Sequence, residues 1–196
     1  MAHRTENEKK ALLILFKDFT SYYNANSMSK QLGISRIGSM KLLKKLKAEN
    51  LLIAKKIGKS TVYRPNIKED YALDIIIFGL AEEANNFKRW KDEFKELFIG
   101  GRIVLLYGST IKDYSKARDI DIMVIRKAGD SGQINKIINE KQQLLPKKIH
   151  AIDLTPQEFI NNLEKKQIAL IDIIKNAIVL YGQSKYVDLL KNVTSF

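Results

Sequence analysis

Two aspartates stand one residue apart in an otherwise apolar run, Asp119-Ile-Asp121-Ile-Met-Val-Ile125. The run reads as a strand, and in a strand residues i and i+2 share a face. Asp119 and Asp121 therefore project together, while Ile120, Ile122 and Val124 point into a core. Like charges at that spacing repel, and a half-buried pair is costly unless a cation neutralises it. The chain has no cysteine, so any metal must sit on oxygen or imidazole. Oxygen ligation suits Mg²⁺ or Mn²⁺, ions used together with substrate phosphates. Ten residues before the first aspartate, the strand-like run Arg102-Ile-Val-Leu-Leu-Tyr107 ends in Gly108-Ser109. That turn offers a hydroxyl and backbone N–H groups to a terminal phosphate, with no side chain in the way.

The elements that must carry these groups follow from the surrounding pattern. Lys148-Ile-His-Ala-Ile-Asp-Leu154 reads as a further strand. Thr155-Pro-Gln-Glu158 is a capping box with proline at the first helical position. Residues 133–145 and 156–176 read as amphipathic helices. Ala177-Ile-Val-Leu-Tyr-Gly182 is a final strand and stop, followed by a short helix with Val187, Leu189 and Leu190. Lys112, Lys116 and Arg118 lie between the turn and the aspartates, either as phosphate contacts or as solvated loop charges.

Strand, Gly-Ser, about ten residues and Asp-x-Asp on the next strand resembles the signature of the DNA polymerase β-like nucleotidyltransferase superfamily. Tyr107-Gly-Ser109 and Asp119-Ile-Asp121-Ile-Met-Val124 carry the likeness, which covers residues 100–182. The small size is similar to that of minimal nucleotidyltransferases, some of which are antitoxins paired with helical toxins. Asn176–Gly182 looks like the tail of such domains. The resemblance implies that Gly108 and Ser109 hold the triphosphate of a nucleotide, ATP foremost, and that Asp119 and Asp121 are catalytic and ligate the metal. The implied reaction is in-line attack of an acceptor hydroxyl on the α-phosphate, with pyrophosphate leaving.

The family commonly adds a third carboxylate from a following strand. Counting back from the capping box, that position falls near His150, and Asp153 lies three residues later on the opposite strand face. Three readings stay open. Asp153 completes the catalytic set after a register change, His150 substitutes as base or ligand, or the site binds nucleotide without efficient transfer.

The first third of the chain has a different character. Residues 1–66 carry 14 basic against 4 acidic side chains, whereas residues 67–196 carry 20 against 18. A polyanion-binding module concentrates charge in this way. Asn7 to about Phe19 reads as a helix, with Ala11, Leu12, Leu15 and Phe16 at helical spacing. A second helix from Ala25 to Leu32 stops at Gly33, and Ser35 caps a third that runs to Glu49. Its inward residues are read as Ile37, Leu42, Leu43 and Leu46. Asn50 occupies a helix-end position that favours Gly or Asn. Leu51–Lys56 and Ser60–Arg64 flank Ile57-Gly58-Lys59 as a β-hairpin, and Pro65 closes the unit.

This order resembles the winged helix-turn-helix family across residues 6–66. Gln31-Leu-Gly-Ile-Ser-Arg36, Leu43-Lys-Lys-Leu46 and Asn50-Leu-Leu52 look like its turn and recognition helix. The resemblance implies double-stranded DNA as partner and a role in transcription regulation. A helix in the major groove reads bases from its N-terminal residues, which makes Arg36, Ser39, Met40 and Lys41 the candidate readers. Lys44 and Lys45 fall to phosphates, and Lys55, Lys56, Lys59 and Arg64 to the backbone or minor groove.

Asn66-Ile-Lys-Glu69 resembles a capping box and is expected to start a helix over 68–98, about 46 Å long at 1.5 Å per residue. Gly79 or Asn85-Asn86 are its possible breaks. Its apolar stripe needs cover, from either domain or from a second copy in a homodimer. The expected architecture is α+β: a DNA-binding domain over 1–66, a connector helix over 67–99 and a mixed-sheet nucleotidyltransferase-type domain over 100–196. No apolar run approaches the roughly 18 residues that cross a bilayer, and the N-terminus lacks a signal core. A cytoplasmic location with no membrane partner is expected. Three functions fit these residues: a bifunctional regulator and transferase acting on a protein or small-molecule hydroxyl, a non-catalytic nucleotide sensor, or an antitoxin that binds a partner toxin.

Overall fold

The computed structural model describes residues 4–191 and is mixed α+β. Among the described residues no helix is long and apolar enough to cross a membrane. The chain divides into two compact units between Gly79 and Leu80, with Leu190 and Lys191 counted with the first.

In the first unit, α1 (Glu6–Lys17) starts at Thr5, whose side chain forms a reciprocal capping box with Glu8. Ala11, Leu12, Leu15 and Phe16 are buried at the expected helical spacing. Asn24 caps α2 (Ala25–Leu32), which ends at Gly33 in the left-handed conformation, φ 65°. The Ser35 hydroxyl accepts from the Gly38 amide to open α3 (Arg36–Ala48). Strands β1 (Leu52–Ile57) and β2 (Ser60–Pro65) pair antiparallel from Leu52↔Pro65 to Ile57↔Ser60, leaving a two-residue turn. Tyr63 also bridges to Tyr23 ahead of α2.

The phase of α3 differs from the expectation. Its buried stripe is Ser39, Leu43 and Leu46, and Ile37, read as inward, is 64% exposed. Spacings of four and three residues put Ser39, Leu43 and Leu46 on one side, so the apolar residue in the first turn lies outside it. The apparent capping box at Asn66 is not formed either. The Asn66 amide donates to the backbone and side-chain oxygens of Asn50, and Glu69 accepts from the Asn50 amide. The helix therefore begins later, at Asp70.

The single helix expected over 68–98 is broken at the asparagine pair. Helix α4 (Asp70–Asn85) ends, the chain turns through Asn86 and Phe87, and α5 (Lys88–Glu93) and a 3₁₀ turn (Lys95–Leu97) follow. Gly79 remains helical. A Cβ there would lie 3.3 Å from the Leu13 side chain, so close packing accounts for this glycine. The turn brings Trp90, Phe94 and Leu97 into the core of the second unit, so these residues are core and not a free connector. Tyr71 and Phe78 on α4 remain exposed.

The second unit is built on a four-stranded sheet in the order β5-β4-β3-β6. Strand β3 (Ile103–Tyr107) pairs antiparallel with both β4 (Asp119–Ile125) and β6 (Ile178–Tyr181), while β4 and β5 (Lys148–Leu154) are parallel. The parallel pair is joined through α6 (Ser131–Leu144), as parallel neighbours require a crossover. Ile120, Ile122 and Val124 lie in the core with Val104, Leu106, Ile149, Ile178 and Leu180, beside Ile134 and Ile138 of α6. Helix α7 (Pro156–Glu164), opened by the Thr155–Glu158 capping box, packs on β5. Lys166, φ 52°, separates it from α8 (Ile168–Asn176), and α9 (Gln183–Leu190) follows β6.

Asn50 takes φ 62° between α3 and β1. A side chain other than Asn or Gly is strained there, so Asn50→Ala is expected to lower stability by about 1–2 kcal/mol. Asn50→Gly is expected to lower it less, because only the amide contacts are lost. Denaturant midpoints of the two variants check this; equal losses would refute the backbone explanation.

Candidate functional site

Strand alternation puts Asp119 and Asp121 together on the face opposite Ile120, Ile122 and Val124. Further along that face Met123 and Ile125 are buried, and the aspartates occupy its half-buried end. The parallel register sets Asp119 beside Lys148 and Asp121 beside His150. The His150 Nδ1 lies 3.2 Å from Asp119 Oδ2 and 3.6 Å from Asp121 Oδ1. One ligand atom from each of the three residues falls within 4.8 Å of the others. Among the described residues, His150 is the one basic side chain within ion-pair distance of either aspartate, and no lysine or arginine pairs with them.

The charges crowded here disturb Asp121 and its neighbour Tyr107. Burial, and then the Asp119 charge, hold the Asp121 carboxyl above its ordinary range, with His150 pulling the other way. Tyr107 stands in register with Asp121 on β3. Its phenol is pushed up to about 12 by burial and by the two aspartates. It keeps its proton at any physiological pH and can donate.

The Gly-Ser turn meets the aspartates directly. Gly108, φ 77°, begins a 3₁₀ turn over Ser109–Ile111. A Cβ on Gly108 would lie 2.1 Å from Asp121 Oδ2, so only glycine lets the backbone pass this close to the carboxylate. Ser109 is exposed beside it. The buried Thr110 hydroxyl donates to the Asp119 carbonyl at 2.8 Å, which ties the turn to β4.

The loop from the turn to Asp119 has an anchor that the sequence pattern does not mark. Lys147 donates to the carbonyls of Tyr114, Ser115 and Ala117, and its Nζ lies 4.3 Å from the Tyr114 ring centroid. An ammonium has three protons to give, and three carbonyls take them. Arg89 covers the same ring at 4.2 Å, and Trp90 meets it edge-on. Lys112, Lys116 and Arg118 are exposed on this loop.

Asp153 is not part of the cluster. It pairs in register with Val124, on the other face and towards the other end of the strand. Its carboxylate accepts from Arg126 at 2.5 Å and from Ser131 at 2.8 Å. The expectation that Asp153 completes a catalytic set is therefore corrected: no register change brings it round, and it fastens the start of α6 to β5. His150, by contrast, lies beside both aspartates. Tyr107 and Lys148 were not singled out, because their nearness to the aspartates appears only once the strand order is known.

On the first unit, Arg36, Met40 and Lys44 follow one another along α3 at four-residue spacing and line a concave surface with Lys59, Asn24, Asn26, Thr61 and Tyr63. Lys41, Lys55 and Lys56 are exposed outside it. Two expected contacts, Ser39 and Arg64, are corrected. Ser39 is fully buried and cannot reach a base. Lys45 pairs with Glu8 at 2.5 Å and so braces α3 against α1, with its side chain still 53% exposed. Arg64 is buried over the Tyr22 ring, 5.3 Å from its centroid, and burial lowers its affinity for its proton.

Comparison with protein-family models, with curated proteins and with solved structures found no match for this chain.

Lys147→Met keeps the aliphatic stem and removes the three donors. Amide exchange over residues 113–119 is expected to speed up about tenfold or more, with the rest of the sheet little changed. Unchanged exchange would remove the anchoring role.

Asp153 gives a pH signature. Burial alone would raise its pKa, but the Arg126 and Ser131 hydrogen bonds outweigh burial and hold it below the ordinary 3.8. A carboxylate depressed in the folded state stabilises above its unfolded pKa, and that stability is lost as pH falls through the folded value. The stability gap between wild type and Asp153→Asn is expected at pH 6 and should close on acidification below about pH 4. Urea titrations at several pH values measure it; a gap independent of pH would contradict the pairing.

Proposed function

We propose that this chain is a DNA-binding regulator whose second unit is a metal-dependent nucleotidyltransferase of minimal size. The observation that carries the reading is the convergence of Asp119, Asp121 and His150 on one spot beside Gly108. Two carboxylates and an imidazole, with no lysine or arginine on the carboxylates, are a donor set that fits a divalent cation. Asp119 and Asp121 would hold it. When bound, such an ion supplies charge neutralisation and Lewis acidity to phosphoryl oxygens.

The chain's own residues account for the rest of the site. The Gly108-Ser109 turn presents backbone N–H groups and a hydroxyl to the terminal phosphates of a nucleoside triphosphate. Tyr107, protonated, offers a donor next to Asp121. Lys148, in register with Asp119, adds positive charge at the rim. The reaction class is transfer of a nucleotidyl group to an acceptor hydroxyl on a protein or small molecule, with pyrophosphate leaving.

The first unit acts as a winged helix-turn-helix, with α3 as the reading helix and the β1–β2 hairpin as the wing. Its basic concave surface supports this, and so does the concentration of net charge in residues 1–66. A second reading has a specific observation in its favour. Asp153 is committed to Arg126, so among the described residues no third carboxylate joins the cluster of Asp119 and Asp121. In that reading the second unit binds nucleotide, or a partner protein such as a toxin, without efficient transfer.

Incubation of the full chain with α-labelled ATP, a divalent ion and cell extract separates the two. Label on an acceptor with wild type and none with Asp119→Ala supports the transferase. Saturable nucleotide binding with no transferred label supports the sensor, and absence of both discards the nucleotide reading.

For DNA, the double variant Arg36→Glu/Lys44→Glu is expected to weaken duplex binding more than tenfold. It should also flatten the dependence of log affinity on log salt by about two ions. Fluorescence anisotropy with a labelled duplex at several salt concentrations tests it. Affinity insensitive to salt or to these changes would rule out this surface.

A further inference from the structure

We infer that His150 is itself a metal ligand and that it makes the centre one for a first-row transition ion, with Mn²⁺ preferred over Mg²⁺. The inference rests on the reading of Asp119 and Asp121 as a metal centre and adds the identity of the ion. It starts from the sheet. Parallel pairing of β4 and β5 gives Asp121 and His150 the same level and the same face, so the imidazole is delivered by the backbone and not by a mobile loop. Its Nδ1 stands 3.2 Å and 3.6 Å from one oxygen of each carboxylate. Adjacent ligands on one small divalent ion, each about 2.1 Å from it, are separated by about 3 Å. The imidazole nitrogen is thus close to sharing distance from one oxygen of each carboxylate, and all three donor atoms lie within 4.8 Å of one another.

The donor set then selects among ions. Mg²⁺ demands oxygen ligands in a near-ideal octahedron and gives up water reluctantly. Imidazole nitrogen is a softer ligand that favours transition ions, whose affinity for a mixed N/O site rises from Mn²⁺ towards Cu²⁺. Oxygen ligands alone, two or three of them, suit Mg²⁺ and Mn²⁺ alike. An imidazole in that place shifts the balance to Mn²⁺ and its heavier neighbours. Asp153 offers no competing oxygen, because Arg126 and Ser131 hold it on the other face.

The test uses the full chain without nucleotide, so it reads the ion and not turnover. Mn²⁺ and Mg²⁺ binding are measured by titration, and pulsed EPR of bound Mn²⁺ looks for coupling to an imidazole ¹⁴N. Wild type is expected to bind Mn²⁺ about tenfold or more tightly than Mg²⁺ and to show the nitrogen coupling. His150→Ala should lose that preference together with the coupling. His150→Asp, an all-oxygen set, should regain Mg²⁺ binding without the coupling. Mn²⁺ bound by wild type with no ¹⁴N coupling would overturn the inference while leaving the aspartate centre standing, as would undiminished Mn²⁺ affinity in His150→Ala. Failure of wild type to bind either ion would remove the centre itself. The wild-type coupling decides the question by itself, so a variant that fails to fold does not spare the inference.

Discussion

Two negative charges on one strand face, half out of water, set the terms for the second unit. Burial, and then the neighbouring Asp119 charge, raise the free energy of ionising Asp121. Around them the chain places the groups that tolerate or offset such a pair: a glycine with no side chain at closest approach, an imidazole across the parallel pairing, and a phenol that keeps its proton. The apolar residues alternating with the aspartates anchor β4 in the core, so the pair cannot relax by turning outward. Strain between charges is held in place by hydrophobic packing on the opposite face.

The first unit solves a different problem, that of keeping cations accessible on a small domain. Its helix α3 is held from behind by Leu43 and Leu46, and by Lys45 reaching Glu8 of α1. Using one lysine of the basic run as a brace leaves Arg36 and Lys44 on the outer side. The hairpin turn adds Lys59 to the same concavity. Basic residues next to one another in sequence therefore divide between structure and surface according to helical phase.

Much of this was legible from the residues alone. The three helices of the first unit, the hairpin, the left-handed positions at Gly33 and Asn50, and the shared face of Asp119 and Asp121 follow from local rules that need no tertiary knowledge. The breaks in the helices expected over 68–98 and 156–176 do not. Elsewhere helical phase or long-range pairing decides. Ser39 is expected to read a base because it lies near the start of α3, and Ile37 to face inward because it is apolar, yet helical phase overrides both. Asp153 drew attention as a spare carboxylate, and only the three-dimensional partners Arg126 and Ser131 show that it is already engaged. Lys147 was invisible, because a lysine before a strand carries no local sign that three carbonyls converge on it. His150 was weighed among alternatives, and the parallel register of β4 with β5 put it beside the aspartates.

Strand β5 lies at the sheet's edge, hydrogen-bonded on one side only, to β4. A slip of one residue along that border would exchange faces along the whole strand. Ile149 or Ala151 would then stand level with Asp121, and His150 would be turned into the core. The stretch between α6 and β5 therefore acts as a ruler: a single inserted or deleted residue there, far from either aspartate in sequence, would dismantle the three-residue cluster while leaving every one of its side chains present in the chain.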